Sequence, residues 1–371
     1  MLRKFRVINF KGFEGPFELD LSNPNQYAFN QSSVVSGTIN HALIYGKNGV
    51  GKSNLALAMF DIIEHLTDYN KNELDYTNYL NARSDLSAAT FYYEFLIEEK
   101  QIVYEYRKTD YKTIEFESLK IDNVEVIAFD RTKYNSASVK LVGTEHLITK
   151  IDSKELSILK YVKNNTVLEA NTTNKAFLAF FVFVEKMLYF RGLKDNNYLG
   201  FMNGVKFIEE EIIQQNNLDD FELFLNTAGI ECNLVAKKEG KSQTIHVDFG
   251  DKTLPLELIA STGTDSLRLF YFWLQSIKQN GQVSFVFIDE FDAYYHHELS
   301  QMVVEKLKET NVQFILTTHN TSIMTNDLLR PDCYFIMYKD RIKSLPQLTR
   351  KELREAHNLE KMYKAGTFNE G

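Results

Sequence analysis

Residues 46–53 read G-K-N-G-V-G-K-S, and few octapeptides restrict a fold so tightly. The apolar run Ala42-Leu43-Ile44-Tyr45 precedes them, and the helix-forming run Asn54-Leu55-Ala56-Leu57-Ala58-Met59-Phe60 follows. The order is therefore buried strand, glycine-rich loop and helix. Glycines let successive backbone amides close around phosphates, and the helix N-terminus behind them adds a positive dipole end. In this pattern Gly46, Asn48, Gly49, Gly51 and Asn54 form the cradle. Lys52 reaches the β- and γ-phosphates, and the Ser53 hydroxyl takes Mg²⁺. The specified positions would coincide by chance in roughly one chain in a hundred of this length. A nucleoside-triphosphate site is the expectation.

With 371 residues, the chain is long enough for one large core or two domains. Its 44% hydrophobic and 25% charged residues are an ordinary globular balance. The longest apolar stretch, residues 176–183, falls well short of the roughly 18 residues that a membrane helix needs, so no membrane partner is expected. The N-terminus continues into an alternating strand rather than a secretory apolar region. Cys232 and Cys333 lie far apart, with neither metal-ligand spacing nor a disulfide framework, which points to a reducing cytoplasm. A net charge of −8 argues against bulk affinity for nucleic acid, although a local basic face is compatible with it.

Along the chain, period-2 alternation predicts strands at 5–10 and 17–21, and hairpins at 91–97 with 102–106 and at 114–121 with 124–129. From about 152 to 224 helical spacing takes over, through Leu156, Leu159 and Val162 and then Phe177, Phe180, Phe181, Val184, Met187 and Leu188. Asparagine-rich loops at 164–165, 171–174 and 195–197 punctuate this stretch. The expected division is an N-terminal half of a nucleotide-binding head at 1–150, a helical insertion at 151–235 and the C-terminal half at 236–371. In that last part Thr264 can cap a helix ending near Gly281. Residues 283–288 and 312–316 read as buried parallel strands with a helix at 297–309 between them, and residues 334–338 as a further strand. Thr349 and Glu352 spell a capping box for a last helix ending at Gly366.

Three segments carry candidate chemistry. Val286-Phe287-Ile288-Asp289-Glu290 is an apolar strand ending in two carboxylates: Asp289 is placed to hold Mg²⁺, and Glu290 to orient or deprotonate an attacking water. The strand Phe314-Ile315-Leu316-Thr317-Thr318 ends in His319, which can contact a γ-phosphate. Ser261-Thr262-Gly263-Thr264 stands at a helix start, where small hydroxyl residues form either an anion site or a plain N-cap. Two other patterns carry less. His296-His297-Glu298 are consecutive, and consecutive helical side chains point about 100° apart rather than at one metal. Asn70-Lys71-Asn72-Glu73 approximates a guanine-specifying N-K-x-D but ends in Glu, so ATP is expected over GTP.

Taken together, the P-loop, S-T-G-T, F-I-D-E, Asp292 and T-T-H-N resemble the ABC/SMC/RecF class of ATPases. The S-T-G-T loop is closer to the signature of OLD-family and RloA/AbiL-like ATPases, with PARIS-type ATPases related, than to the usual L-S-G-G-Q. Asn9-Phe10-Lys11-Gly12-Phe13 is similar to the N-terminal strand of that class. Residues 291–299 resemble its D-x-x-L-H-P stretch. The resemblance implies an α/β fold, an ABC-type P-loop ATPase head with an N-terminal antiparallel β subdomain and a helical insertion. It also implies MgATP hydrolysis in a homodimer or higher homo-oligomer, in which Ser261 and Gly263 of one copy complete the site of another and Asp292 serves as a D-loop residue. A Q-loop glutamine is implied as well, with Gln101 the nearest candidate.

The family further implies an ATPase that senses a phage trigger and controls a separate effector, a nuclease or toxin. The alternative is a RecF- or SMC-like head that binds DNA. A transporter subunit is disfavoured, because Lys52 and Ser261 lie about two hundred residues apart. A catalytically dead scaffold is disfavoured by the intact Lys52, Ser53, Asp289, Glu290 and His319.

Overall fold

A computed structural model describes residues 1–69, 73–191, 198–199, 208–239, 242–279 and 281–369. The loop at 195–197 and residues 70–72 of the N-K-x-E segment lie outside the described residues.

Two seven-stranded sheets organise the molecule. One is antiparallel. Leu2–Ile8 pairs with both Phe17–Asp20 and Ala89–Ile97, and the sheet continues through Lys100–Lys108, Ile114–Ile121, Val124–Asp130 and Ser138–Val139. Phe17–Asp20, Ala89–Ile97 and Lys100–Lys108 alternate buried and partly exposed residues, Ala89–Ile97 perfectly so, as a sheet covered on one face requires. The hairpin turns fall at Glu98-Glu99 and Asp122-Asn123, whose positive φ values (50° and 60°, 48° and 65°) match the primed turns that suit strand twist.

The other sheet is mostly parallel. Met187–Arg191, Phe285–Asp289, Gln313–Thr318, His41–Gly46 and Tyr334–Met337 run side by side in that order, with Tyr198–Leu199 and Ile342–Ser344 as antiparallel edges. Phe285–Asp289 and Gln313–Thr318 are buried at every position, the pattern of strands covered on both faces. Because the five central strands are parallel, their carboxyl ends meet along one edge, which is where an open α/β sheet binds ligands.

The P-loop helix Lys52–Leu66 lies between the two sheets. Phe60 packs on Tyr189 and Phe285 of the parallel sheet, with ring centroids 5.5 and 6.1 Å apart. From the antiparallel sheet, the Tyr93 hydroxyl donates to the Ala58 carbonyl at 3.0 Å, and the ring of Tyr106 meets His65 edge-on at 4.5 Å. Burial all round explains why this helix shows no clean polar face.

The stretch expected as a helical insertion divides differently. Ile158–Asn165 and Thr172–Glu185 are helices, capped by Ser157 and Asn171. Phe180 packs edge-on against Phe95 and Tyr104, so the phenylalanine stripe belongs to the shared core. Met187–Arg191 then enters the parallel sheet beside Phe285–Asp289, although its spacing continues the helical pattern before it. Helix and strand periods are indistinguishable over so short an apolar run. Beyond it, Ile208–Gln214 and Leu218–Thr227 are helical, and Leu234–Glu239, Ser242–Asp248 and Thr253–Pro255 form a small antiparallel sheet that the sequence reading lacked.

Two cap assignments change. Helix Thr262–Lys278 is capped by Ser261, whose hydroxyl accepts from the Thr264 amide, so Thr264 lies inside the helix. The last helix is only Leu359–Lys364, capped by Asn358. Glu352 pairs with Arg354 instead of closing a capping box, and the box itself forms at Ser344 and Gln347 around a short 3₁₀ turn.

Candidate active site

At the carboxyl edge of the parallel sheet, the P-loop closes over strand ends. Gly51 starts the helix at φ 108°, where side-chain-bearing residues rarely go, and a Cβ there would lie 3.6 Å from Phe13. Gly46 is held by space: a Cβ would come within 3.0 Å of the Met337 carbonyl. The Asn9–Phe13 turn supports the loop from beneath. Asn9, at φ 57°, donates to the Leu86 and Ala88 carbonyls, and a Cβ on Gly12 would stand 3.1 Å from the Asn54 amide nitrogen. Asn48 and Gly49 are exposed at the loop's crest.

Lys52 is buried, and its ammonium donates to the Gly46 carbonyl at 3.0 Å and to His319 Nε2 at 2.8 Å. An ammonium has no lone pair, so Nε2 must accept and His319 is neutral in this contact. Burial, with the Lys52 charge beside it, accordingly holds the His319 pKa below its ordinary value. Burial likewise lowers that of Lys52, against the attraction of Asp289 and Glu290.

Asp289 is fully buried. Its Oδ2 accepts from the Ser53 hydroxyl at 2.5 Å, and its Oδ1 accepts from the Thr317 hydroxyl at 2.6 Å. Thr317 Oγ1 also accepts from the Glu290 amide at 2.7 Å, tying both carboxylate residues to the neighbouring strand. Glu290 itself sits at φ 51°, a left-handed conformation that costs a non-glycine residue on the order of 1–2 kcal/mol. That turn ends the strand and leaves the Glu290 side chain 37% exposed, open to solvent beside the P-loop. Asp292 turns inward, where its Oδ2 accepts from Thr318 at 2.7 Å, and burial pushes its pKa up to about 6.

The donor set suits Mg²⁺, which prefers hard oxygens at about 2.0–2.1 Å in octahedral geometry. Neighbouring ligands of such an ion sit roughly 3 Å apart, so Ser53 Oγ and Asp289 Oδ2 need separate by only a few tenths of an ångström. In chemical terms the edge brings together a glycine-rich loop whose amides could receive phosphates, a cation at its centre, oxygens that could hold a hard metal, and an exposed carboxylate able to accept a proton.

The other signature-class residues stand apart from this cluster. Ser261 and Thr262 are exposed, and among the described residues no hydrogen bond joins Ser261 or Gly263 to the P-loop. They are linked instead to the turn after Glu290. A Cβ on Gly263 would lie 3.3 Å from the Tyr294 carbonyl, and the Tyr295 hydroxyl donates to Ser266 Oγ at 2.7 Å. Gln101 pairs with Leu96 in the antiparallel sheet and is not among the residues gathered at the site.

At the strand end beside Asp289 stands Arg191, which the sequence reading passed over. Its Nε lies 3.5 Å from Asp289 Oδ2, and its Nη2 lies 3.6 Å from Glu290 Oε2. A single charged residue closing the run Met187-Leu188-Tyr189-Phe190 was the available signal, masked by the helical spacing around it.

A P-loop on a parallel sheet, with its neighbouring strands ending in a carboxylate pair and a histidine, defines an ATPase head of the AAA/ABC type. A family model described as "AAA domain, putative AbiEii toxin, Type IV TA system" matches residues 42–325, and the chain belongs to that family. No curated protein matches it. Among solved structures it is similar to the SMC head domain from Thermotoga maritima, at 13% identity over 92% of this chain and 97% of the other, with a TM-score of 0.43. It is also similar to the Smc head domain with an extended coiled coil bound to the C-terminal domain of ScpA, derived from Pyrococcus furiosus (14%, 93% and 95%, 0.46). A third is the recombination mediator protein RecF of the RecFOR pathway (11%, 93% and 98%, 0.42). Among the described residues no helix is long and apolar enough to cross a membrane.

Proposed function

We propose that this chain hydrolyses MgATP as one head of a homodimer or higher homo-oligomer, and that the cycle holds or releases a separate effector, a nuclease or toxin, in bacterial anti-phage defence. The observation that carries the hydrolytic part is the convergence of Lys52, Ser53, Asp289, Glu290 and His319 from neighbouring strand ends. The family description, which names a toxin and a toxin–antitoxin system, supports the defence role.

In this reading, amides of the loop from Gly46 through Asn48, Gly49 and Gly51 to Asn54 receive the phosphates, and Lys52 leaves Gly46 and His319 to meet them. Mg²⁺ between Ser53 and Asp289 would neutralise charge on the β- and γ-phosphate oxygens. Glu290 takes a proton from water as the water oxygen bonds to the γ-phosphorus and the bond to the β–γ bridging oxygen breaks. ADP and phosphate leave. His319, released from Lys52, could donate from Nε2 to the γ-phosphate once its single ring proton moves from Nδ1 to Nε2, a change of tautomer with no net proton uptake. Exposed Ser261 and partly exposed Gly263, at the start of a 17-residue helix, would offer their N-terminal amides to the nucleotide of a second copy, with Asp292 anchoring the intervening turn.

Solution mass of the wild type and of Glu290→Gln, with and without MgATP, tests this. Glu290→Gln should retain ATP, lose at least about a hundredfold in turnover and double in mass with MgATP, since removing one catalytic group typically costs that much. Hydrolysis at the wild-type rate would remove Glu290 from its role, and an unchanged mass would remove the second copy. If DNA rather than a co-purifying protein accelerates turnover, the effector reading fails.

A further inference from the structure

Among the described residues, Arg191 contrasts with the cations that close the most deeply buried ion pairs. Lys108, Arg131 and Arg330 are at most 5% exposed in buried ion pairs, each with hydrogen bonds that fix it. The Arg191 side chain is 49% exposed, and its two contacts, at 3.5 and 3.6 Å, are ion pairs without hydrogen-bond geometry. Loose, solvated pairs of this kind contribute at most about 1 kcal/mol, so exchanging their partner costs little. Its backbone is nevertheless fixed, because Arg191 is in register with Asp289 on an adjacent parallel strand. Among the described residues it is also the only side chain that forms an ion pair with Asp289 or Glu290.

We propose that Arg191 is the γ-phosphate sensor of this site, an inference that rests on the ATP-hydrolysing reading above. Without a triphosphate the guanidinium spans Asp289 and Glu290, competing with a metal for one and neutralising the other. A γ-phosphate draws it away, because the planar fork matches phosphate oxygens and makes shorter, charge-assisted bonds than it has here. The transfer frees Asp289 for Mg²⁺ and Glu290 for the attacking water, and it moves a positive charge onto the group being transferred. No proton changes hands, since the guanidinium stays charged throughout. The site is thus armed by a triphosphate and remains latched with a diphosphate.

The test compares equilibrium affinities for ATPγS and ADP in Mg²⁺, read by displacement of a fluorescent nucleotide, for wild type, Arg191→Ala and Arg191→Lys, alongside ATP turnover and thermal midpoint. Arg191→Ala should weaken ATPγS about tenfold, about 1.4 kcal/mol, while ADP changes less than about twofold. Turnover should fall by at least about a hundredfold, since a cis or trans arginine contributes about 10³–10⁵ in other nucleotide hydrolases. Arg191→Lys should recover most of the ATPγS affinity as a point charge but little turnover, because it lacks the fork. Equal weakening of ADP and ATPγS, or unchanged affinities and turnover, would overturn the sensor. Wild-type protein that binds neither nucleotide would overturn the hydrolytic reading itself, with Lys52→Ala as the matched control.

Discussion

Two groups of buried carboxylates, on the two sides of the P-loop helix, are built to opposite ends. On the antiparallel-sheet side, Asp61 accepts from Tyr79 at 2.8 Å, Tyr106 at 2.9 Å and Lys108 at 2.7 Å. Glu117, equally buried, accepts from Tyr104, Ser157, Arg131 and the Ile158 amide. Every partner there is protein, and nothing in the arrangement needs to exchange. On the parallel-sheet side, Asp289 is as deeply buried, but its Oδ2 partners are Ser53 and the half-exposed Arg191. A hydroxyl that can turn to a metal and an arginine that can turn to a phosphate are exchangeable partners. The lesson is that burial alone does not mark a functional carboxylate; the exchangeability of its partners does.

The sharpest way to break this comparison is at Lys108. Lys108→Met strands the Asp61 charge in the core and should cost about 3–5 kcal/mol in denaturant unfolding, while the Asp61→Leu/Lys108→Met pair should recover much of it. A loss below about 1 kcal/mol would mean that the antiparallel-sheet network is as loose as the nucleotide edge.

Asp292 comes next. Its folded pKa of about 6 lies above the roughly 3.9 of an unfolded Asp, so between those values the folded state binds the extra proton. That contribution to stability is fully present below about pH 4 and is lost as pH rises through about 6. It amounts to at most about 3 kcal/mol. Wild type minus Asp292→Asn, unfolded at a series of pH values, should show this decline. A flat difference would place the carboxylate in water.

Ser261→Ala gives the smallest change in stability, about 1 kcal/mol for a lost N-cap. It sharpens the contrast because the expected loss of ATP-driven assembly should far exceed that cost. An assembly defect no larger than the cap penalty would leave Ser261 a structural residue.

Much of this was legible in the chain. The P-loop octapeptide, the F-I-D-E strand and T-T-H-N put Lys52, Ser53, Asp289, Glu290 and His319 at a helix start and two strand ends, because each motif ties a chemical group to a local conformation. The hairpins were legible for the same reason, through alternation and turn residues. Arg191 and Thr317 were not. Their roles come from lying beside Asp289 on neighbouring strands that are distant in sequence. The last helix was expected but placed to start too early, since residues 349–357 satisfy capping statistics while their side chains pair locally instead.

The sequence by itself determined that a buried strand, a glycine-rich loop and a helix follow one another at the P-loop, which residues make that loop, and that the strands beside it are buried and parallel, because local backbone geometry and period are written residue by residue. Only the tertiary structure decided which charge sits against the Asp289–Glu290 pair, that Met187–Arg191 is a strand of the head, and that Ser261 lies apart from the P-loop of its own chain. Those facts depend on strand order and register, which arise from packing distant segments into one sheet.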